Sequence, residues 1–331
     1  MRAAWYEKLG PAREVLQVGE QPTVTAGPGE VRVKLQASGI NPSDVKRRSG
    51  YGRYTKPDGP IVIPNSDGAG IVDQVGAGVG EEWIGQRVWL FNGQRLGRTH
   101  GTAAEYIALD ARLVTPLPEG VSFAAGACLG IPCMTAHYGV FSEGPVQGKT
   151  VLVTGGAGAV GHYAIQLAKW DGAMVIATVS GPAKAAEAKA AGADHVLNYR
   201  EQDIGTEVLA LTGGRGVDHV CEVDFGGNLS ANLQCVAQNG SITTYATDGN
   251  KSPALPVGDL MARCITIRIF VLNSLPRVKL EQAQNDITRW LSEGERVHRV
   301  PNVYPLGEIA AAHEAVEAYE KFGTIVVDPS R

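Results

Sequence analysis

The segment from Thr150 to Trp170 constrains the fold more than any other part of this chain. Thr150-Val151-Leu152-Val153 is apolar and β-favouring, Thr154-Gly155 leads into Gly156-Ala157-Gly158-Ala159-Val160-Gly161, and His162 to Trp170 is helix-like. The order is strand, tight turn, helix N-terminus. Glycines let the backbone come close to a bound anion, and the unpaired N–H groups of a first helical turn, with the positive end of its dipole, favour phosphate. A dinucleotide is the ligand that best suits Gly156, Gly158, Ala159, Val160 and Gly161; the plainer alternative is an ordinary tight turn between strand and helix.

With 42 glycines in the chain, the pattern needs its context. Gly76-Ala77-Gly78-Val79-Gly80 is equally glycine-rich, but it runs from Ile71-Val72-Asp73-Gln74-Val75 into Glu81-Glu82-Trp83 with no apolar helical pattern behind it, and reads as a loop between strands. After Gly161, by contrast, Ala164, Ile165, Leu167 and Ala168 form a helical stripe, and Met174 to Val179 reads as a second buried strand. Strand, turn, helix and strand span about 30 residues, one βαβ unit.

The second strand bears on which dinucleotide is bound. An NAD-selective site places Asp or Glu about 20 residues past the turn, on the ribose 2′-hydroxyl. Here the strand ends Ala177-Thr178-Val179-Ser180-Gly181 without a carboxylate. A 2′-phosphate can instead use the Ser180 hydroxyl and the Lys184 ammonium, which favours NADPH. The alternative for Lys184 is a solvated place on a helix it shares with Glu187 and Lys189.

A length of 331 residues suggests two domains, and the net charge of −4 provides no basic field for nucleic acid. Lys46-Arg47-Arg48 is too short for an electrostatic footprint. Met1 to Glu7 lacks the apolar core of a signal peptide, so a cytoplasmic location is expected. Gly120 to Ser142 has no Asp, Glu, Lys or Arg, but its glycines, Pro132 and His137 dilute its hydrophobicity, and a helix buried between domains explains it better than a membrane span. The five cysteines form no Cys-x-x-Cys pair, and no His-x-x-x-His or Cys/His cluster has zinc spacing, so no metal is expected. No Gly-x-Ser-x-Gly elbow is present either.

The first 115 or so residues read as short strands and turns: Glu30 to Ala37 alternates polar and apolar residues, and Gly27-Pro28 and Gly59-Pro60 punctuate the run. From about Ser122 helices alternate with strands at Val151 to Thr154, Val175 to Val179, His195 to Leu197, His219 to Glu222 and Ser241 to Tyr245, which predicts an α/β parallel sheet covered on both faces. Leu280 to Leu291 and Leu306 to Lys321 read as helices, and Gly323 to Val327 as a last strand returning to the N-terminal unit. The expected division is 1–121 with 271–331 as one domain and 122–270 as the nucleotide domain, with the substrate cleft between them.

Taken in order, Gly39-Ile40-Asn41-Pro42-Ser43-Asp44, Ile63-Pro64-Asn65-Ser66-Asp67-Gly68-Ala69-Gly70, Ala104-Glu105-Tyr106, Ile131-Pro132-Cys133-Met134-Thr135-Ala136, the glycine turn and Asn198-Tyr199-Arg200 resemble the zeta-crystallin-like quinone oxidoreductases of the medium-chain dehydrogenase/reductase superfamily. The resemblance covers almost the whole chain. It implies a GroES-like β-rich domain, a Rossmann domain, NADPH and a homodimer formed through the cofactor domains. Zinc-dependent relatives carry cysteine where this chain has Asn41 and Gly-His-Glu where it has Asn65-Ser66-Asp67, and their four-cysteine structural lobe has no counterpart here. Without a Lewis acid, the expected chemistry is hydride transfer to a quinone or an α,β-unsaturated carbonyl. The alternatives are a zinc-free alcohol or carbonyl reductase, and a non-enzymatic NADPH-binding protein of the crystallin or RNA-binding kind.

The same resemblance assigns roles to residues. Asn41 lies beside nicotinamide and acceptor, Thr135 helps hold the carboxamide, Tyr199 neighbours the 2′-phosphate with Ser180 and Lys184, and Tyr245, Phe270 and Leu272 contact the nicotinamide half through backbone groups. Phe270 and Leu272 also fit as core strand residues, and Asn41 as a turn former before Pro42. Many relatives have tyrosine five residues after the asparagine; this chain has Lys46, whose ammonium can stabilise a reduced oxygen or donate a proton, or simply be solvated. Tyr51 and Tyr54 are the nearby phenols, and water is an alternative proton source.

Overall fold

Two large sheets organise the chain, and the computed structural model describes residues 1–52, 54–318 and 322–331. The strands in chain order are β1 (Arg2–Trp5), β2 (Gln17–Glu20), β3 (Glu30–Ile40), β4 (Asp67–Val75), β5 (Arg87–Leu90), β6 (Tyr106–Asp110) and β7 (Val114–Pro116), then β8 (Thr150–Val153), β9 (Met174–Val179), β10 (His195–Asn198), β11 (Val217–Glu222), β12 (Val236–Thr244) and β13 (Thr266–Ile269), and finally β14 (Val303–Pro305) and β15 (Ile325–Asp328). The chain divides into a first unit, Met1–Pro132 with His298–Arg331, and a second, Cys133–Val297.

In the first unit the sheet runs β14-β15-β3-β4-β5-β7, with β6 also paired to β3. The alternation in Glu30–Ile40 puts Val31, Val33 and Leu35 on one face, where they meet Val72, Val88, Leu90, Ile107 and Leu109 in a closed apolar core. The C-terminal strand β15 pairs antiparallel with the end of β3, Ile325 opposite Ile40. Register shifts between Arg32 and Val33 and between Leu35 and Ala37 bend β3 so that it serves both β4 and β6.

The second unit is a parallel sheet ordered β10-β9-β8-β11-β12-β13. Strand β8 is buried along its whole length, as both-face coverage by helices requires. The winding direction reverses between β8 and β11, and a ligand crevice in such a sheet opens beyond the carboxyl ends of the strands at that switch. Thr154 is tied into it, its N–H donating to the Cys221 carbonyl at 3.1 Å and its hydroxyl accepting from Val223 N–H at 2.9 Å.

Three sequence expectations meet a different outcome in space. Helix Arg277–Ser292 belongs to the second unit: Asp286 pairs with the His137 ring at 2.9 Å, and the Trp170 indole N–H donates to Glu293 at 2.5 Å. The second unit therefore spans 133–297, where the sequence reading draws 122–270, because an amphipathic pattern does not say which partner covers its apolar face. Gly120 to Ser142 is not one helix. It breaks into Phe123–Gly126, an irregular turn at Leu129–Cys133 and Met134–Phe141, with Gly130 at ψ −112° and Pro132 in the break. The last helix is Ile309–Glu317 after a tight turn at Leu306–Glu308; residues 319–321 of its expected span lie outside the described residues. No helix among the described residues is long and apolar enough to cross a membrane.

Candidate functional site

The glycine turn leaves β8 through Gly155, which adopts the left-handed φ of +68°. Its N–H donates to the Thr178 hydroxyl at 3.2 Å, and Gly156 N–H donates to the Thr178 carbonyl at 2.9 Å, so the end of β9 fixes the loop. A side chain at Gly156 would press on Ala177 and Ile165, and one at Gly161 would lie 2.2 Å from the Gly155 carbonyl oxygen. Helix Gly161–Trp170 begins with no side-chain cap. Among the described residues the N–H groups of Ala159, Val160 and Gly161 make no hydrogen bond to the chain. Three free donors at the positive end of a helix form an anion cradle, and a pyrophosphate fits it. Gly155 and Thr178 escape a reading based on Gly-x-Gly-x-x-Gly alone; the Gly155-Gly156 doublet is the signal that points to them.

At the carboxyl end of β9, Ser180 is half-buried and Gly181 extended, and Lys184 stands half-buried in the first turn of helix Pro182–Ala190, also without a side-chain cap. Tyr199 N–H donates to the Val179 carbonyl at 3.1 Å, which brings Tyr199, 52% exposed, to the strand end that Ser180 follows. Ser180 and Lys184 thus follow the end of β9, beside the backbone of Tyr199, where an NAD site would carry a carboxylate.

Thr135 is buried in the first turn of helix Met134–Phe141. The Phe270 ring packs edge-on against Tyr138 at 4.7 Å and stands 6.3 Å from Tyr245. Both Phe270 and Leu272 are buried, so their side chains are core, and only their backbone is left to meet a ligand. Burial raises the Tyr245 phenol well above its ordinary value, with Cys221 and Glu222 adding to it.

In the first unit Asn41 follows β3 and caps helix Pro42–Ser49, its N–H donating to Asp44 Oδ2 at 2.8 Å. The pairing of an N-cap residue with an acid three places on is legible in the sequence. Asn41 Nδ2 donates to Asp67 Oδ2 at 2.7 Å, and Arg95 Nη2 donates to Asp44 Oδ1 at 2.7 Å. Asp44, Asp67 and Arg95 are buried and join three separate segments, which no sequence spacing announces. Lys46 Nζ sits 5.2 Å from the centre of the Tyr51 ring, and the Arg47 guanidinium lies 4.8 Å from that of Tyr54. The structure thus pairs Lys46 with Tyr51 and Tyr54 with Arg47.

These positions do not fit zinc. Asn41 is committed to Asp67, Asn65 donates to Ser38 at 3.0 Å and accepts from the His313 ring at 3.0 Å, and Ser66 donates to Asp44 at 2.7 Å. Among the described residues no group of three or more His, Cys, Asp and Glu side chains could hold a metal ion.

Two family models match the chain, the alcohol dehydrogenase GroES-like domain over residues 27–119 and the zinc-binding dehydrogenase family over 159–290. The chain is 31% identical to the quinone oxidoreductase of Rattus norvegicus, over 97% of its own length and 95% of that protein. It is 29% identical to the 2-haloacrylate reductase of a Burkholderia species, over 99% of each. The solved structure of the Escherichia coli quinone oxidoreductase complexed with NADPH superposes with a TM-score of 0.85, at 28% identity, over 99% of this chain and 100% of that one. The uncapped glycine turn on a six-stranded parallel sheet, the GroES-like unit built around β3 and the full-length similarity place this chain among the zeta-crystallin-like quinone oxidoreductases of the medium-chain dehydrogenase/reductase superfamily.

Proposed function

We propose that this protein is an NADPH-dependent reductase of quinones and α,β-unsaturated carbonyl compounds that works without zinc. The observation that carries the cofactor assignment is the end of β9, where Ser180 and Lys184 replace the acid of an NAD site beside a glycine turn with three free N–H donors. When bound, NADPH supplies the hydride. The N–H groups of Ala159, Val160 and Gly161 hold the pyrophosphate, Lys184, Ser180 and Tyr199 hold the 2′-phosphate, and Thr135 and the backbone at Tyr245, Phe270 and Leu272 orient the nicotinamide end. Asn41 spends one amide N–H on Asp67 and keeps the other for the acceptor oxygen, where negative charge develops. Lys46, with Tyr51 or Tyr54 or with water, delivers the proton. The acceptor is a small molecule; the acidic net charge argues against nucleic acid, and the location we assign is the cytoplasm.

The pair formed by β13 and its neighbouring helix supports a homodimer. Strand β13 is a sheet edge, and Met261, Ile269, Val271, Val257 and Val278 are 73, 72, 50, 57 and 65% exposed around it. An open edge with apolar side chains suits pairing with a second copy.

The test is oxidation of NADPH, followed by its absorbance, against a panel of benzoquinones, enones, aldehydes and alcohols, with and without a chelator. Turnover of quinones or enones that withstands the chelator is the expected result. Tight NADPH binding without oxidation by any acceptor would make the protein a nucleotide-binding protein instead, and activity that is lost to the chelator and restored by zinc would overturn the metal-free chemistry.

A further inference from the structure

Two carboxyl groups, Asp44 and Asp67, are buried in one polar cluster that holds a single guanidinium. Arg95 is spent on Asp44, which also accepts from Ser66 Oγ and Asn41 N–H. Asp67 has only neutral donors, Asn41 Nδ2 at 2.7 Å and Ile131 N–H at 2.8 Å, and both reach the same oxygen, Oδ2. Its other oxygen, Oδ1, is buried with no hydrogen-bond partner. Gly130 closes over it so tightly that a Cβ there would lie 2.3 Å away. A bare carboxylate oxygen in the interior is costly, whereas the neutral acid places its proton there and leaves Oδ2 as the acceptor.

We propose, resting on the reading of Asn41 as the amide that meets the acceptor, that Asp67 is its positioning residue and works in the neutral form, so that ionising Asp67 suppresses the reduction. The neutral carboxyl fixes the Asn41 amide through Oδ2 and directs its second N–H without placing a charge behind it. Ionised, the same group sets a full negative charge one hydrogen bond from the amide that must stabilise negative charge arriving with the hydride. Asp67 neither gains nor loses a proton in the turnover, so it does not enter the reaction balance.

The groups facing Asp67 from each element agree with this. Helix Pro42–Ser49 presents Asn41 and Asp44, the segment after β5 presents Arg95, and the segment between the two short helices presents Cys128, Gly130 and Ile131. On the sheet side, β3 brings Gly39, and the Thr102 hydroxyl bonds to the Asp67 carbonyl. Burial is the main effect and Asp44 adds to it, while the donors and Arg95 oppose, leaving the Asp67 carboxyl pushed up to about 8. The Cys128 thiol is itself pushed up to about 12 by burial and carries no charge there.

The experiment compares the pH dependence of kcat for NADPH oxidation by 1,4-benzoquinone in the full-length protein, Asp67→Asn and Asp67→Leu. An infrared titration of the buried carboxyl runs alongside, without acceptor. The parent is expected to lose kcat as pH rises past about 8, and Asp67→Asn, which keeps the acceptor oxygen and cannot ionise, to lose that limb. The ratio of Asp67→Asn to parent kcat then climbs with alkalinity. Asp67→Leu removes the acceptor and should lower kcat at every pH by about 100-fold with the KM for NADPH unchanged. A protonated-carboxyl band present near neutrality in the parent and missing in Asp67→Asn is the matching signature. An alkaline limb that survives in Asp67→Asn, or a parent with no such band, overturns the role of Asp67 while leaving the reductase intact. A parent that oxidises NADPH with none of the quinone or enone acceptors removes the reductase reading itself, and this role with it.

Discussion

A side chain at Gly161 has nowhere to go, since its Cβ would meet the Gly155 carbonyl oxygen at 2.2 Å and the Gly156 Cα at 3.0 Å, all backbone that cannot swing aside. Gly161→Ala must push the loop off the helix N-terminus, and we expect NADPH affinity, measured by fluorescence titration, to fall at least about tenfold, a loss of about 1.4 kcal/mol. Lys184→Ala should raise the KM for NADPH well beyond its effect on NADH, as follows from the proposal that the ammonium serves the 2′-phosphate; equal effects on both cofactors would remove Lys184 from that site. At this scale the glycine turn was legible, and the structure supports it with three N–H groups free of chain partners among the described residues. Glycine spacing, the missing acid after β9 and Lys184 are local features of the chain. Asp67 and Arg95 were not legible as site residues, since their meaning lies in contacts between distant segments, Asn41 with Asp67 at 26 residues' separation and Asp44 with Arg95 at 51.

Among the described elements, β13 combines a sheet edge with exposed apolar side chains, which supports the proposed dimer. Its residue Ile269 is 72% exposed at a sheet edge, a place where charge discourages pairing. Ile269→Glu is expected to shift the protein from dimer to monomer in sedimentation velocity without loss of fold; a parent that sediments as a monomer would remove the dimer. The central strands of both sheets were readable from period and composition, because each buries one or both faces in a regular way, whereas the short edge strands β7, β13 and β14 were not read. Helix Arg277–Ser292 shows the limit. Its apolar stripe, including Ala283, Ile287 and Trp290, announces a buried face, but the choice of the second unit as its partner is made by His137 and Tyr163, residues more than a hundred positions away.

At the scale of the molecule, the buried polar groups of the first unit set its response to pH. His313 is fully buried, and burial, helped by Arg48 and opposed by Asp44, pushes its ring from 6.5 down to about 3. The unfolded chain therefore takes up a proton at pH values where the folded one does not. Stability is lost as pH falls from 6.5 toward 3, by a few kcal/mol in all. Asp67 acts in the opposite sense: its carboxyl is raised from 3.8 to about 8, so the unfolded chain releases that proton first and stability falls as pH rises across the same interval. Urea unfolding of the first unit should show His313→Gln losing part of the acid limb and Asp67→Asn part of the alkaline one; a limb unchanged in its own variant would show that the corresponding group does not control it.

The chain by itself determined a βαβ unit at Thr150 to Val179, a β-rich leading half, the absence of zinc-ligand spacing and the missing carboxylate after β9, because each depends on neighbours close in sequence. Tertiary structure alone decided that Gly130 interrupts a stretch with the composition of a continuous helix, that His313 sits neutral against Asn65, and that the single guanidinium of the cluster goes to Asp44 and leaves Asp67 with neutral donors behind Asn41. Burial and pairing across distant segments create these properties, and both come into being only when the chain closes on itself.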